Sequence, residues 1–177
     1  MNDAAFVLRR AQPEDARAIA EIYNEAIHMT SATFDTEPKT EEDRRAWLAT
    51  HDDRHPVIVA ELEGQVVGWG SLTKWSDRPA YAETVESSFY VANVWQGRGI
   101  GRAIKSRLIE EARRAGLHTI LCRVAEESAA SLHVNLSLGF TLVGTMREVG
   151  HKFGRRLDVH LLQLMLKEMH AAKSDTA

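Results

Sequence analysis

Cysteine is nearly absent from this 177-residue chain: Cys122 stands alone, inside the apolar run "TILCRV". No intramolecular disulfide can frame the fold, and such usage points to a reducing compartment. Basic residues are not in excess. Lys and Arg number 22 against 25 Asp and Glu, a net charge of −3, so no global positive field argues for nucleic acid. No apolar run approaches the roughly 20 residues that cross a bilayer. The opening "MNDAAFVLRR" lacks a basic stretch followed by an apolar core, so no signal peptide is read. The expectation is a soluble, cytoplasmic protein without a membrane partner. Internal repeats and low-complexity linkers are missing too. The 8 histidines show no metal-ligand spacing: His51 and His55 are four apart, but no His-Glu-x-x-His and no clustered carboxylates accompany them. No metal is expected, and these two are read as a solvated helix end.

What is present suits one globular domain: 44% hydrophobic and 27% charged residues, in a length that favours a single substantial core over two small ones. "FVLRR" reads as a short strand. In "AQPEDARAIAEIYNEAIH", Pro13, Glu14 and Asp15 open a helix whose apolar face is Ile19, Ile22, Tyr23, Ala26 and Ile27. Thr40 and Asp43 give a capping-box start to a second helix. "PVIVAEL" and "QVVGWGSL" read as strands joined by a tight turn at Glu63 and Gly64. The strand "AETVESSFYV" leads into a helix with Ile100, Ile104, Leu108 and Ala112 on one face and Gly116 at its end. Then come "HTILCRV", a strand covered on both sides, a helix from a Ser128 cap to a Gly139 stop, and the long strands "FTLVGTMREVG" and "RLDVHLLQLML". The predicted order is β-α-α-β-β-β-α-β-α-β-β. That is a single α/β domain, residues 1–170, with a mixed, mostly antiparallel central sheet flanked by helices and one parallel step after the glycine-rich loop. Residues 171–177, "AAKSDTA", are expected to form a flexible tail.

That loop, "VWQGRGIGRAI", places Gly97, Gly99 and Gly101 where a strand enters a helix. A P-loop would need Gly-Lys-Ser or Gly-Lys-Thr, which occurs nowhere in the chain. A dinucleotide fingerprint would need a third glycine at position 102, which is Arg102. The pattern left is Gln96-x-x-Gly99-x-Gly101. Glycine amides at a helix N-terminus form an anion cradle, with Arg98 and Arg102 adding positive charge. The competing reading is a turn that merely needs positive φ.

With its flanks, "VESSFYVANVWQGRGIGRAIKSRLIEEARRAG" resembles the acyl-CoA-binding core of the GNAT superfamily of N-acetyltransferases, and the resemblance runs from "LRRAQPEDARAIAEIYN" to "LQLML". The segments "TSATFDTEP", "SDRPAYAETVESSFYV" and "REVGHKFGRRLDV" are most similar to the phosphinothricin and methionine sulfoximine acetyltransferases. The resemblance implies acetyl-CoA as co-substrate and two splayed strands at the acyl-CoA site. It implies main-chain binding of pantetheine and carbonyl oxygen around Phe89, Tyr90 and Val91. The pyrophosphate is implied to lie on Gln96, Gly97, Arg98, Gly99, Ile100, Gly101 and Arg102, with Ser128 and Asn135 at further CoA-contacting positions. Glu86, in the "T-V-E" step, is implied as general base, acting directly or through water, or as the group that positions the ammonium.

At the position where members of the family carry the acid for the leaving thiolate, this chain has Asn135, which donates a hydrogen bond but no proton at neutral pH. His133 is two helical residues away and faces elsewhere, so solvent is expected to protonate the thiolate. Ser128 replaces the family's asparagine and is expected to cap its helix. Phe34, Arg78, Tyr81 and Glu86 fall in segments resembling the acceptor pocket, with Arg78 suited to a substrate carboxylate. Lys152, Phe153 and Arg155 resemble a hairpin that completes the pocket, often from a second subunit, whence the expectation of a homodimer. The implied activity is acetyl-CoA-dependent N-acetylation of a small amino-acid-like amine. A peptide N-terminal acetyltransferase and a non-catalytic acyl-CoA sensor remain as alternatives.

Overall fold

The computed structural model describes residues 6–166, so the expected tail at 171–177 lies outside the described residues. The elements follow the predicted order: β1 (Val7–Arg10), α1 (Ala16–Met29), α2 (Glu41–Leu48), β2 (Val57–Leu62), β3 (Gln65–Lys74), β4 (Thr84–Val91), α3 (Ile100–Arg114), β5 (Thr119–Ala125), α4 (Ala129–Ser137), β6 (Thr141–Lys152) and β7 (Arg155–Met165). They build one seven-stranded sheet in the order β1-β2-β3-β4-β5-β7-β6. Every neighbouring pair is antiparallel except β4 and β5.

Alternation along the strands explains how the helices sandwich this sheet. Successive residues of a strand face opposite sides. In β2, Val57 and Val59 join Ile19, Ile22, Tyr23 and Ile27 of α1 together with Trp69. Ile58 and Ala60 face the other way, onto Ile100, Ile104 and Leu108 of α3. Local signals act where they were read. Thr40 Oγ1 accepts from the Asp43 amide at 3.1 Å, and the Asp43 carboxylate accepts from the Thr40 amide at 2.8 Å. Glu63 and Gly64 both take positive φ, 49° and 81°, as a two-residue hairpin of the I′ type needs.

Two local expectations are corrected. Ser128 occupies the N-cap position of α4, but its side chain makes no capping bond. His51 and His55 are not a solvated end. His55 is buried, with Nδ1 2.8 Å from the Asp52 carboxylate, and the His51 ring meets Trp47 edge-on at 4.3 Å. Burial pushes the His51 imidazole below its ordinary pKa.

α3 lies close to β3 because Gly68 and Gly70 leave room for it. A Cβ at position 70 would come within 2.6 Å of Ile104 Cγ2 and 2.8 Å of the Ser88 carbonyl oxygen. Gly70→Ala is therefore expected to cost about 1–3 kcal/mol through overpacking. It should lower the urea midpoint without changing the m-value; an unchanged midpoint would mean that the helix shifts freely.

Candidate functional site

The parallel ladder between β4 and β5 is short: Thr84 pairs with Thr119, Val85 with Ile120 and Glu86 with Leu121, and there it ends. β4 continues to Val91 against β3, while β5 continues to Ala125 against β7. The strands thus part, as the resemblance implies, and among the described residues the β5-side edge of β4 from Ser87 to Val91 has no strand beside it. A cleft of about 1430 Å³ opens along this fork.

At the wide end lies the glycine loop. Gly97 and Gly99 have φ of 75° and 78°, a region L-residues seldom enter. Gly101 has a different reason: a Cβ there would sit 2.8 Å from Phe89 Cε2, so the start of α3 rests directly on the β4 side chain. The first amide of α3 to find a helical acceptor is that of Ala103, on the Gly99 carbonyl at 3.0 Å. The amides ahead of it have no intrahelical partner and lie at the positive end of the helix dipole. Gln96 ties the loop to β4, donating from Nε2 to the Val91 carbonyl and to Asn93 Oδ1, each at 3.1 Å. Gln96, Gly97, Gly99, Ile100, Gly101 and Arg102 line the cleft, and Arg98 does not. The Arg98 guanidinium stacks 4.6 Å above the Trp95 ring, whereas Arg102 bonds Ser137 of α4. This donor set suits the diphosphate of a CoA thioester.

At the narrow end, Glu86 is the last residue of β4 paired with β5. Arg123 of β5 engages both of its oxygens, Nε with Oε1 and Nη2 with Oε2, each at 2.6 Å. These bonds push the guanidinium pKa further up. Tyr90, on the same face of β4, packs against Trp69 and Tyr23 with ring centroids 4.8 and 5.0 Å away. Phe34 forms a wall, its ring pressed so closely on Gly150 of β6 that no Cβ would fit there. Phe153 and Arg155 also line the cleft, and the Arg155 guanidinium is engaged by both oxygens of Glu127.

Three expected acceptor residues are placed elsewhere. Lys152 is buried. Its ammonium donates to the Thr30 and Thr33 carbonyls at 2.8 and 2.7 Å and reaches the Ala26 carbonyl at 3.5 Å, fastening the end of α1 to the β6–β7 hairpin. Burial lowers its pKa. Arg78 and Tyr81 lie on an exposed turn outside the cleft lining. The sequence places Lys152 beside the pocket but does not show that its donors are spent on carbonyls of the α1 end.

Two residues absent from the sequence reading stand at the centre of the site. One is Arg123. The other is Lys105, 1% exposed, whose Nζ donates to Ser87 Oγ at 2.6 Å and lies 4.5 Å from the centroid of Phe140. Burial brings its pKa down from 10.5 to about 8. The signal was a charge inside an apolar stripe: Lys105 follows Gly101 by four positions and precedes Leu108 by three, on the face that α3 buries. Beside it the Cys122 thiol donates to Asn135 Oδ1 at 3.4 Å, and Asn135 Nδ2 donates to the Ser131 carbonyl at 2.8 Å. Asn135 and Ser128 line the cleft, as does His133 at its exposed margin.

A family model described as an acetyltransferase (GNAT) domain matches residues 8–161. The L-methionine sulfoximine/L-methionine sulfone acetyltransferase of Salmonella typhimurium is 42% identical over 168 residues, covering 94% of this chain and 98% of that protein. The phosphinothricin N-acetyltransferase of Streptomyces coelicolor is 37% identical over 160 residues, covering 88% and 94%. A Salmonella typhimurium protein solved with acetyl-CoA as its cofactor superposes with a TM-score of 0.90 at 40% identity, over 97% of this chain and 99% of that one.

The buried ammonium has a consequence for stability. Its pKa is about 8 in the folded chain against 10.5 as the ordinary value. Between these pH values the unfolded chain holds more protons, so unfolding becomes harder as pH rises through the window. Relative to Lys105→Met, the wild type is expected to gain stability from pH about 8 to about 10.5 in urea titrations. A difference that stays constant across the window would show that the ammonium is solvated.

Proposed function

The chain belongs to the GNAT acetyltransferase family, and on that premise we propose that it transfers the acetyl group of acetyl-CoA to the amine of a small amino-acid-like molecule of the methionine sulfoximine, methionine sulfone or phosphinothricin type. The observation that carries this reading is the fork: an anion-binding helix terminus and a cationic-amine site at Glu86 lie at opposite ends of one unpaired strand edge. A CoA thioester laid along that edge puts its diphosphate at the amides ahead of Ala103, beside Arg102. Its pantetheine arm then runs past Phe89, Tyr90 and Val91, and its carbonyl points at main-chain donors of β4. Donors aimed at the oxyanion of the tetrahedral intermediate are usually the largest catalytic contribution.

The amine must lose a proton before or during attack, and Glu86 is the group placed to attract it and accept that proton, directly or through water. Arg123 occupies both Glu86 oxygens in the free protein. An entering ammonium competes for the carboxylate, and the released guanidinium is then the cation at hand for the substrate's own carboxylate. Arg123 takes the part first assigned to Arg78, while Phe34 and Phe153 supply apolar walls. The β6–β7 hairpin also exposes Val143, Val149 and Phe153, an apolar strip that supports a homodimer through this hairpin. The free thiol of Cys122 fits a cytoplasmic setting.

CoA-thiol release should be followed with amino-acid analogues, their decarboxylated amines and short peptides. Turnover is expected with the amino-acid analogues. Glu86→Gln should reduce kcat by about 10²- to 10⁴-fold, and Arg123→Met should raise KM for acceptors bearing a carboxylate and leave the decarboxylated amines unaffected. Tight acetyl-CoA binding without turnover of any acceptor would instead make the protein an acyl-CoA sensor, and turnover of peptides alone would replace the small-molecule reading. In light scattering the wild type should have the mass of two chains and Val149→Glu that of one; a monomeric wild type removes the dimer.

A further inference from the structure

Lys105 is a cation inside an apolar face, and among the described residues no carboxylate is bonded to it. Of its three N–H groups, one has a hydrogen-bond acceptor, Ser87 Oγ, and the rings of Phe140 and Phe89 lie 4.5 and 5.9 Å from the nitrogen. Ser87 in turn donates to the Leu121 carbonyl at 3.3 Å. Leu121 belongs to the last rung of the β4–β5 ladder, so the Lys105–Ser87 pair sits at the apex of the fork, where the cleft ends. Ser87, Lys105, Cys122 and Asn135 all line that cleft. The titratable or charged groups that act on the ammonium are Cys122 from β5 and Glu86 from β4. Arg123 of β5 is turned to Glu86, and Arg102 of α3 to Ser137. α4 presents the neutral amide of Asn135, which bonds the Cys122 thiol.

A buried, incompletely bonded ammonium is costly, and an anion at the apex would relieve that cost. Acetyl transfer generates one. The acceptor nitrogen forms the C–N bond, the C–S bond breaks, and its electron pair remains on the CoA sulphur. Resting on the acetyl-transfer reading above, we propose that Lys105 is the group that attracts and protonates the leaving CoA thiolate, held in place by the Ser87 hydroxyl, and so supplies the proton that Asn135 lacks. The sulphur takes one proton from Nζ and CoA leaves as the thiol. The neutral amine then regains a proton from solvent, which balances the proton given up by the acceptor amine. Burial brings the Lys105 ammonium down from 10.5 to about 8, toward the range of a thiol, about 8.5 for cysteine, so a proton can pass from Nζ to sulphur without the large cost an ordinary lysine would impose.

The first test needs no acceptor substrate; the second uses the amino-acid analogue that the wild type turns over. CoA is bound to wild type and to Lys105→Met, and thiolate formation is followed by ultraviolet absorbance against pH, with desulfo-CoA complexes as blanks. In the wild type the bound thiol is expected to ionise about one pH unit or more below free CoA, and in the variant the shift should vanish. The variant's kcat should fall about 10²-fold without change in KM for acetyl-CoA, and the decline in kcat above pH about 8 should disappear from its profile. Methionine matches the length of lysine in these apolar surroundings; should it not fold, Lys105→Gln carries the same comparison. Identical thiol titrations in wild type and variant overturn the proposal, as does a variant that keeps wild-type kcat and the alkaline decline. A wild type that does not bind CoA at all overturns the acetyl-transfer reading, and this proposal with it.

Discussion

The site depends on one interruption, the end of the β4–β5 ladder after Glu86 and Leu121. Buried backbone groups are almost always paired, and an edge left open from Ser87 to Val91 is a standing set of donors and acceptors for a ligand. Neither strand can slide to close it. β4 is held by β3 over seven pairs and β5 by β7 over seven more, and a slip of one residue would turn the buried side chains outward. The fork is therefore as rigid as the sheet around it. Its geometry also fixes what stands at each end: the start of α3 at the opening, because Gly101 rests on Phe89, and Glu86 at the point of divergence.

How the cations near this cleft are bonded decides what they can do. Lys152 is committed to the carbonyls that end α1, where the negative end of the helix dipole favours a positive charge; it holds up the wall carrying Thr33 and Phe34. Arg155 is committed to Glu127. Arg123 is committed to Glu86, and under the proposed function this is the bond that an arriving amino acid would exchange for two others. Lys105 alone of the four meets neither a carboxylate nor a set of carbonyls: its one acceptor is Ser87 Oγ. The four side chains share a charge and a neighbourhood, and only the last two have chemistry to offer.

The architecture was legible because its signals are local. Thr40 with Asp43, the turn at Glu63 and Gly64, and the stripe of Ile100, Ile104 and Leu108 each declare an element from within a few residues, and element order then restricts the topology. The glycine loop was singled out by exclusion, since the spacing rules out the two commoner phosphate motifs, and Glu86 by family likeness, and both line the same cleft. The cations were not, because whether a lysine meets three carbonyls or a carboxylate is settled by segments far away in sequence: Lys152 by residues 26–33, Arg123 by Glu86. Lys105 was a missed signal of another kind. Its place in the buried stripe was readable, but periodicity treats a charge there as noise in the pattern instead of as a feature of the site. His55 failed for the opposite reason: its burial comes from a turn with Asp52 that no periodicity marks.

The alternation of β4 gives the site its logic. Glu86 and Ser87 are adjacent, so they point to opposite faces of the sheet: Glu86 to the side of Tyr90, Trp69 and Tyr23, Ser87 to the side of α3 and Lys105. A carboxylate and an ammonium on one face at this spacing would pair and silence each other, as Glu86 and Arg123 do. Placed across the strand, the two are kept apart by the backbone, with the fork opening between them. Under the proposed mechanism, a thioester lying in that opening would meet its amine on the face of Glu86 and release its sulphur toward the face of Lys105. On the proposed roles, acid and base are separated by a single peptide unit, and the strand that would orient the carbonyl is the same strand that keeps them from neutralising one another.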